Sequence, residues 1–233
     1  MTGVPAEAPS RSRRRRPNLA VGGLVTLVAS LLVFGAIAAA VGEHQTDRLD
    51  TAMTSLLHGL AMPVLDAFME TVTQLGSNLV IVPLLAVALI LLIWTRRQSA
   101  AVFLAASAIG SIQLSAPLKL VFERQRPQLP WAQAPSDYSF PSGHAMDSFV
   151  FYVALGLIAW WIWGRRAGVV AVGAGVALAL LIGSSRIYLG FHYFTDVIGG
   201  YLAGLACLLV VAAAVAAWPR LTRSRSAGGR NGQ

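Results

Sequence analysis

Six stretches of this chain, residues 19–41, 79–94, 100–118, 148–163, 167–183 and 197–218, are almost entirely apolar and approach or exceed the length of a bilayer-crossing helix. A helix needs about 20 apolar residues to cross the hydrocarbon. Inside lipid every backbone amide must be bonded within its own segment, so helices are the expected form. The second and fourth stretches are short, and their ends must be completed by interfacial residues or by neighbouring protein. Trp94, Trp160, Trp161, Trp163 and Trp218 stand near the proposed ends, where amphipathic rings favour the headgroup level. With 56% hydrophobic and 12% charged residues in 233, the composition excludes both an ordinary soluble domain and a disordered chain. The expectation is an all-α bundle of six transmembrane helices.

The first run follows Arg11 and Arg13 to Arg16, and Ala38, Ala39 and Ala40 close it, which also resembles a signal peptide. Its length exceeds a signal core of roughly 7 to 15 residues, so it reads as a retained span with a cytoplasmic N-terminus. Six crossings then put thirteen arginines inside: Arg11, Arg13, Arg14, Arg15, Arg16, Arg96, Arg97, Arg165, Arg166, Arg220, Arg223, Arg225 and Arg230. Arg48, Lys119, Arg124, Arg126 and Arg186 fall outside. That bias obeys the positive-inside rule, and the inverse topology violates it. The organisation expected is a basic cytoplasmic tail at 1–18, a six-span domain at 19–218 and a second basic cytoplasmic tail at 219–233. The formal charge of +8 is accounted for by these helix flanks, so nucleic acid is not an expected partner.

Between the first two spans, Leu49, Ala52, Met53, Leu56, Leu57 and Leu60 recur at helical spacing, and Leu65, Phe68, Met69, Val72 and Leu75 resume it after Pro63. This reads as an amphipathic interfacial helix, or two, that lies on the outer surface or packs against the bundle. His44 and His58 read as solvated or interfacial. The lone Cys207 excludes an intrachain disulfide and reads as helix packing. Gly200 and Gly204 make a GxxxG pair in the sixth span, a signal of close packing within the bundle or between subunits of a homo-oligomer.

Three blocks on the outer side carry chemistry. In the first, Lys119 and Arg126-Pro127 place two cations seven residues apart, two turns along one face if the helix continues that far. Arginine offers phosphate a planar fork and lysine a point charge; snorkelling to headgroups is the bland alternative. In the second, Phe140-Pro141-Ser142-Gly143-His144 opens a helix whose free amides can hold an anion, with His144 as a proton donor. The same block also reads as a plain helix start. In the third, Ser185-Arg186 precedes His192 and Asp196, four apart, so that on a helix the carboxylate meets one ring nitrogen and frees the other as a nucleophile. A surface pair capping the sixth span is the alternative. Glu123 and Asp147, close to these blocks, read as local surface or capping residues, or as partners of Arg126 and His144.

Taken together, Lys-x6-Arg-Pro, Pro-Ser-Gly-His and Ser-Arg-x5-His-x3-Asp resemble the signature of the type 2 phosphatidic acid phosphatase superfamily of membrane lipid phosphatases. The resemblance covers Lys119 to Asp196 by motif and extends to the six-span plan. It implies that Lys119, Arg126 and Arg186 bind phosphoryl oxygens, with Ser142 and Gly143 adding hydrogen bonds. It implies that His192 attacks phosphorus with Asp196 holding its ring, and that His144 protonates the leaving oxygen. No metal or other cofactor is expected, and the substrate is a lipid phosphate or pyrophosphate reached from the bilayer. Three other functions are compatible with parts of this pattern. A non-hydrolytic lipid-phosphate binder or transporter would need the cations but could dispense with His192 or Asp196. A phosphotransferase would use the same phosphohistidine with another acceptor. Vanadate-dependent haloperoxidases have a similar pocket but are soluble.

Overall fold

The computed structural model describes residues 16–228 except 133, and the side chains of 16–19 and 219–228 are not described. The described residues form eight helices and no strand: α1 (Arg16–Gly42), α2 (Asp47–His58), α3 (Pro63–Gln74), α4 (Asn78–Trp94), α5 (Gln98–Phe122), α6 (Gly143–Trp163), α7 (Arg165–Tyr188) and α8 (Phe194–Gly228). By length and composition α1, α5, α6, α7 and α8 can each cross a membrane, and α4 is a shorter apolar helix of 17 residues. The chain is therefore a multi-pass membrane protein. Helices α2 and α3 meet at a bend of 119°. Arg11, Arg13 to Arg15 and Arg230 lie outside the described residues, and the side chains of Arg16, Arg220, Arg223 and Arg225 are among those not described.

Helix α6 is the centre of the bundle, packing on α5, α7 and α8. Its inward face, including Val150, Phe151, Ala154 and Ile158, meets Phe103 and Leu104 of α5 in the principal core. The α6–α7 contact is close because glycines stand on it: a Cβ at Gly156 would lie 2.7 Å from Val172 backbone, and one at Gly175 2.7 Å from the Tyr152 carbonyl oxygen. In lipid such backbone approach replaces the hydrophobic drive that water supplies elsewhere. The GxxxG pair of α8 also works within the bundle: a Cβ at Gly200 would stand 2.6 Å from the Ser142 carbonyl oxygen, and one at Gly204 3.2 Å from that of Met146.

The fourth apolar stretch is longer than its sequence suggested. Helix α6 begins at Gly143 and runs for 21 residues, because the residues before the apolar run, including Asp147, which is buried inside the bundle, are part of the helix. Asp147 is accordingly neither a surface nor a capping residue, and its Oδ1 accepts a 2.6 Å bond from Ser111 Oγ of α5. Helix α2 does not divide into an apolar inner and a polar outer side. Its buried residues are Asp50 and Thr54, whereas Leu49 and Leu56 are exposed. Asp50 and Thr54 therefore face the protein beside Leu57, which packs on Ala145, Ile187 and Val197, whereas Leu49 and Leu56 face outward.

The carboxyl ends of α5 and α7 and the amino ends of α6 and α8 lie together at one end of the bundle. The α4–α5 and α6–α7 turns, with exposed Arg96, Arg97, Arg165 and Arg166, lie at the other. The 25 residues of α5 separate the two ends by about 37 Å at 1.5 Å per residue.

Candidate active site

Every motif residue falls at the first of these ends. The Lys119–Arg126 pair does not share a helical face. Helix α5 stops at Phe122, Glu123 takes a left-handed conformation (φ 46°), and Arg126 stands in the irregular segment beyond. A non-glycine residue in that region ends the regular helix, and Pro127 and Pro130 keep the segment from resuming it. The two cations meet on Asp137 instead. Lys119 Nζ donates to Asp137 Oδ2, while Arg126 donates to Asp137 Oδ1 from Nη2 at 2.7 Å and from Nε at 3.0 Å. Partial burial raises the Asp137 pKa, but the Lys119 ammonium and the Arg126 guanidinium outweigh it and hold the carboxyl below its usual range.

Arg126 also reaches the third block. Its Nη1 donates to the Phe191 carbonyl oxygen at 2.6 Å and stands 3.2 Å from His192 Nε2. The other ring nitrogen, Nδ1, faces Asp196 Oδ2 at 3.5 Å. With the proton on Nδ1, the Nε2 lone pair points at the guanidinium, the tautomer required of a nitrogen nucleophile. His192 is buried, and its pKa is pushed well below 6.5 by that burial and by the charges of Arg186, Arg126 and Lys119. A depressed pKa keeps the ring neutral at physiological pH.

The His192–Asp196 encounter is not a same-face pair on one helix, because α8 begins only at Phe194. Asp196 lies in the first turn, and its Oδ2 accepts the Tyr193 backbone N–H at 2.8 Å. This is the reach-back of a capping box, which aims the carboxylate toward the residues just before the helix. The Asp196 carbonyl oxygen accepts the Ser142 N–H at 2.9 Å, locking the second block to the third.

Ser142 is the N-cap of α6, so the first free amides of that helix, at Gly143 and beyond, open onto the same region. His144 and Gly143 line a cavity of about 260 Å³ together with Lys119, Asp137, Asn78, Ser115 and Asp147. Arg186 arrives from the last turn of α7, bonded at 2.9 Å to Thr73 Oγ1 of α3 and lying 4.4 Å over the Phe191 ring. Five buried side-chain polar atoms lack a hydrogen-bond partner among the described residues, and three of them are Ser142 Oγ, Arg186 Nε and His192 Nδ1. Nδ1 of His192 faces Asp196 just beyond hydrogen-bond length; buried polar atoms are normally satisfied, so Ser142 Oγ and Arg186 Nε, both on motif residues, are the groups left for a polar ligand. No group of three His, Cys, Asp or Glu side chains among the described residues is placed to hold a metal ion.

Four contributors went unread in the sequence: Asp137, Thr73, Asp50 and Arg124. The last two form a buried array behind the dyad. Arg124 donates to Asp196 Oδ1 at 2.6 Å, to Asp50 Oδ2 at 2.7 Å and to Thr195 Oγ1 at 2.8 Å. Asp50 in turn accepts from Thr195 N at 2.9 Å and Thr195 Oγ1 at 2.8 Å. Removing one partner of such an array strands a buried charge, at a cost of about 3–5 kcal/mol. An aspartate at a buried register of an amphipathic helix was the available signal for Asp50. Arg124 had none, because its neighbour Arg126 carries the motif.

The PAP2 superfamily profile matches residues 100–220. The chain belongs to this superfamily. Phosphatidylglycerophosphatase B of Bacillus subtilis is 30% identical over 190 residues, 79% of this chain and 92% of that protein. An undecaprenyl-diphosphatase of Sulfolobus acidocaldarius is 29% identical over 171 residues, 70% of this chain and 77% of its own length. The crystal structure of the transmembrane PAP2-type phosphatidylglycerolphosphate phosphatase from Bacillus subtilis superposes with a TM-score of 0.76 at 26% identity, covering 81% of this chain and 94% of that one. These relatives are phosphatases by name, and this chain is a membrane phosphatase of the same superfamily.

Proposed function

We propose that this PAP2 protein hydrolyses the phosphomonoester or pyrophosphate of a membrane lipid at the extracytoplasmic face, through a phosphohistidine on His192. The observation that carries the reading is the convergence of Lys119, Arg126 and Arg186 on His192, whose Nε2 faces Arg126 while Nδ1 faces Asp196. On this reading α1, α4, α5, α6, α7 and α8 are the six spans. The exposed Leu49 and Leu56 of α2 suit contact with lipid near the site.

The phosphoryl group displaces the Asp137 carboxylate from Lys119 and Arg126 and takes hydrogen bonds from Ser142, Gly143 and Arg186. His192 Nε2 forms the N–P bond as the lipid P–O bond breaks, and His144 gives its proton to the departing oxygen. His144, now neutral, takes a proton from water, whose oxygen attacks phosphorus. The P–N bond then breaks to release phosphate and neutral His192. Three fixed cations offset the charge on the transferred group at every stage, with no reorganisation needed as it spreads.

The reading is tested by phosphate release in detergent from phosphatidic acid, phosphatidylglycerol phosphate, diacylglycerol pyrophosphate and a polyprenyl pyrophosphate. At least one is expected to turn over with water as sole acceptor, fully in EDTA, and with inhibition by vanadate. Loss of activity in EDTA that magnesium restores would contradict the three-cation account. Sidedness is tested with a membrane-impermeant thiol reagent on intact cells, in a chain whose Cys207 is replaced by alanine. Ser136→Cys should be labelled from outside and Gln98→Cys only after permeabilisation, and the reverse would place the site in the cytoplasm.

A further inference from the structure

The buried array behind His192 is more than a brace. Asp196 offers one oxygen to His192 and gives the other to Arg124, an ion pair that would cancel its charge if nothing else were present. Asp50, with a fully buried side chain, makes the second ion pair to the same guanidinium and takes both the backbone N–H and the hydroxyl of Thr195, next to Asp196. Two carboxylates on one guanidinium leave a net charge of minus one in the array.

We propose that Asp50 and Arg124 are positioning residues of the nucleophile: Arg124 clamps Asp196, and Asp50 returns the negative charge that Arg124 cancels. The proposal deepens the phosphohistidine reading and rests on it. His192 is surrounded by cations on its other sides: Lys119 from α5, Arg126 from the segment after it, Arg186 from α7, and His144 of α6 when that ring is protonated. As Nε2 bonds to phosphorus, positive charge grows on the ring. A net negative array on the Nδ1 side favours that change more strongly than a neutral Asp196–Arg124 pair, whose guanidinium offsets part of the carboxylate's attraction. The sequence places this charge in α2, a helix outside the motif blocks, so the interfacial segment becomes part of the catalytic apparatus. Burial opposes the charge on Arg124, but Asp196 and Asp50 outweigh it and raise its pKa.

The test is the pH dependence of phosphoenzyme formation in Asp50→Asn, Arg124→Gln and the double variant, each in the full-length detergent-solubilised enzyme. Asp50→Asn takes the array from minus one to zero. His192 then holds a proton less readily, so the acid limb should move to lower pH, by on the order of one unit. The rate of phosphoenzyme formation should fall about tenfold to a hundredfold, as when outer partners of an oriented histidine are lost in metal sites, with KM little changed. Adding Arg124→Gln restores minus one, so the double variant should regain the wild-type acid limb and part of the rate. A purely structural array would behave otherwise: the limb would stay in place in Asp50→Asn, and the double variant would be worse than either single one. Either result overturns the proposal, as does a single variant that loses its monodisperse folded peak and does not recover it in the double. Failure of the underlying reading is separately visible, as label trapped in His192→Ala.

Discussion

His192→Ala should reduce phosphate release from any lipid substrate to the level of membranes lacking the protein, a larger loss than any other single substitution at this site produces. The reason is covalent. Without Nε2 no group is positioned to receive the phosphoryl, and water would have to attack directly in a pocket arranged around an imidazole. Binding should survive, because Lys119, Arg126 and Arg186 are untouched, and inorganic phosphate should compete for the site with nearly unchanged affinity. Asp196→Asn should differ in kind. It keeps the ring but removes the charge facing Nδ1, and a comparable change in a serine protease triad costs about 10⁴ in turnover. Residual activity measurable above His192→Ala is therefore expected. Equal and complete loss in both would mean that Asp196 is required for folding rather than for orienting the ring.

His144→Ala should fall by roughly 10² to 10⁴, the usual contribution of a general acid. How far it falls should depend on the leaving group. An alkoxide leaving from a lipid phosphomonoester needs a proton, whereas p-nitrophenolate does not. With p-nitrophenyl phosphate as substrate, formation of the phosphoenzyme in His144→Ala should approach the wild-type rate while its hydrolysis, which still needs a base, stays slow. His192→Ala should show no rescue with either substrate. The position of His144, on the cavity wall with Lys119 and Asp137, suits a group that meets the leaving oxygen rather than phosphorus.

The motif residues stood out in the sequence by type and spacing, and the structure brings them together at one end of the bundle. The helices were legible because lipid demands long apolar runs. What was misread shares a cause: helical periodicity was extended into segments that are not helical. Lys119 and Arg126 do converge, but through the Asp137 carboxylate and a segment that starts at Glu123, not along a helical face. His192 and Asp196 do meet, but through a cap at Tyr193. Periodicity also hid Asp50. On α2 the leucine repeat marks the apolar residues, whereas Asp50, beside that repeat, is buried against Arg124 and Thr195.

The most direct measurement of the central claim is chemical mapping of the trapped phosphoenzyme. Protein incubated with a ³²P-labelled lipid phosphate, quenched in alkali and digested, should yield a label that is stable in alkali, lost in acid and confined to the peptide containing His192. With labelled p-nitrophenyl phosphate, provided that substrate is accepted, the label should accumulate in His144→Ala and be absent from His192→Ala. Acid-stable label, label on the peptide containing His144, or label persisting in His192→Ala would contradict the assignment of His192 as the nucleophile.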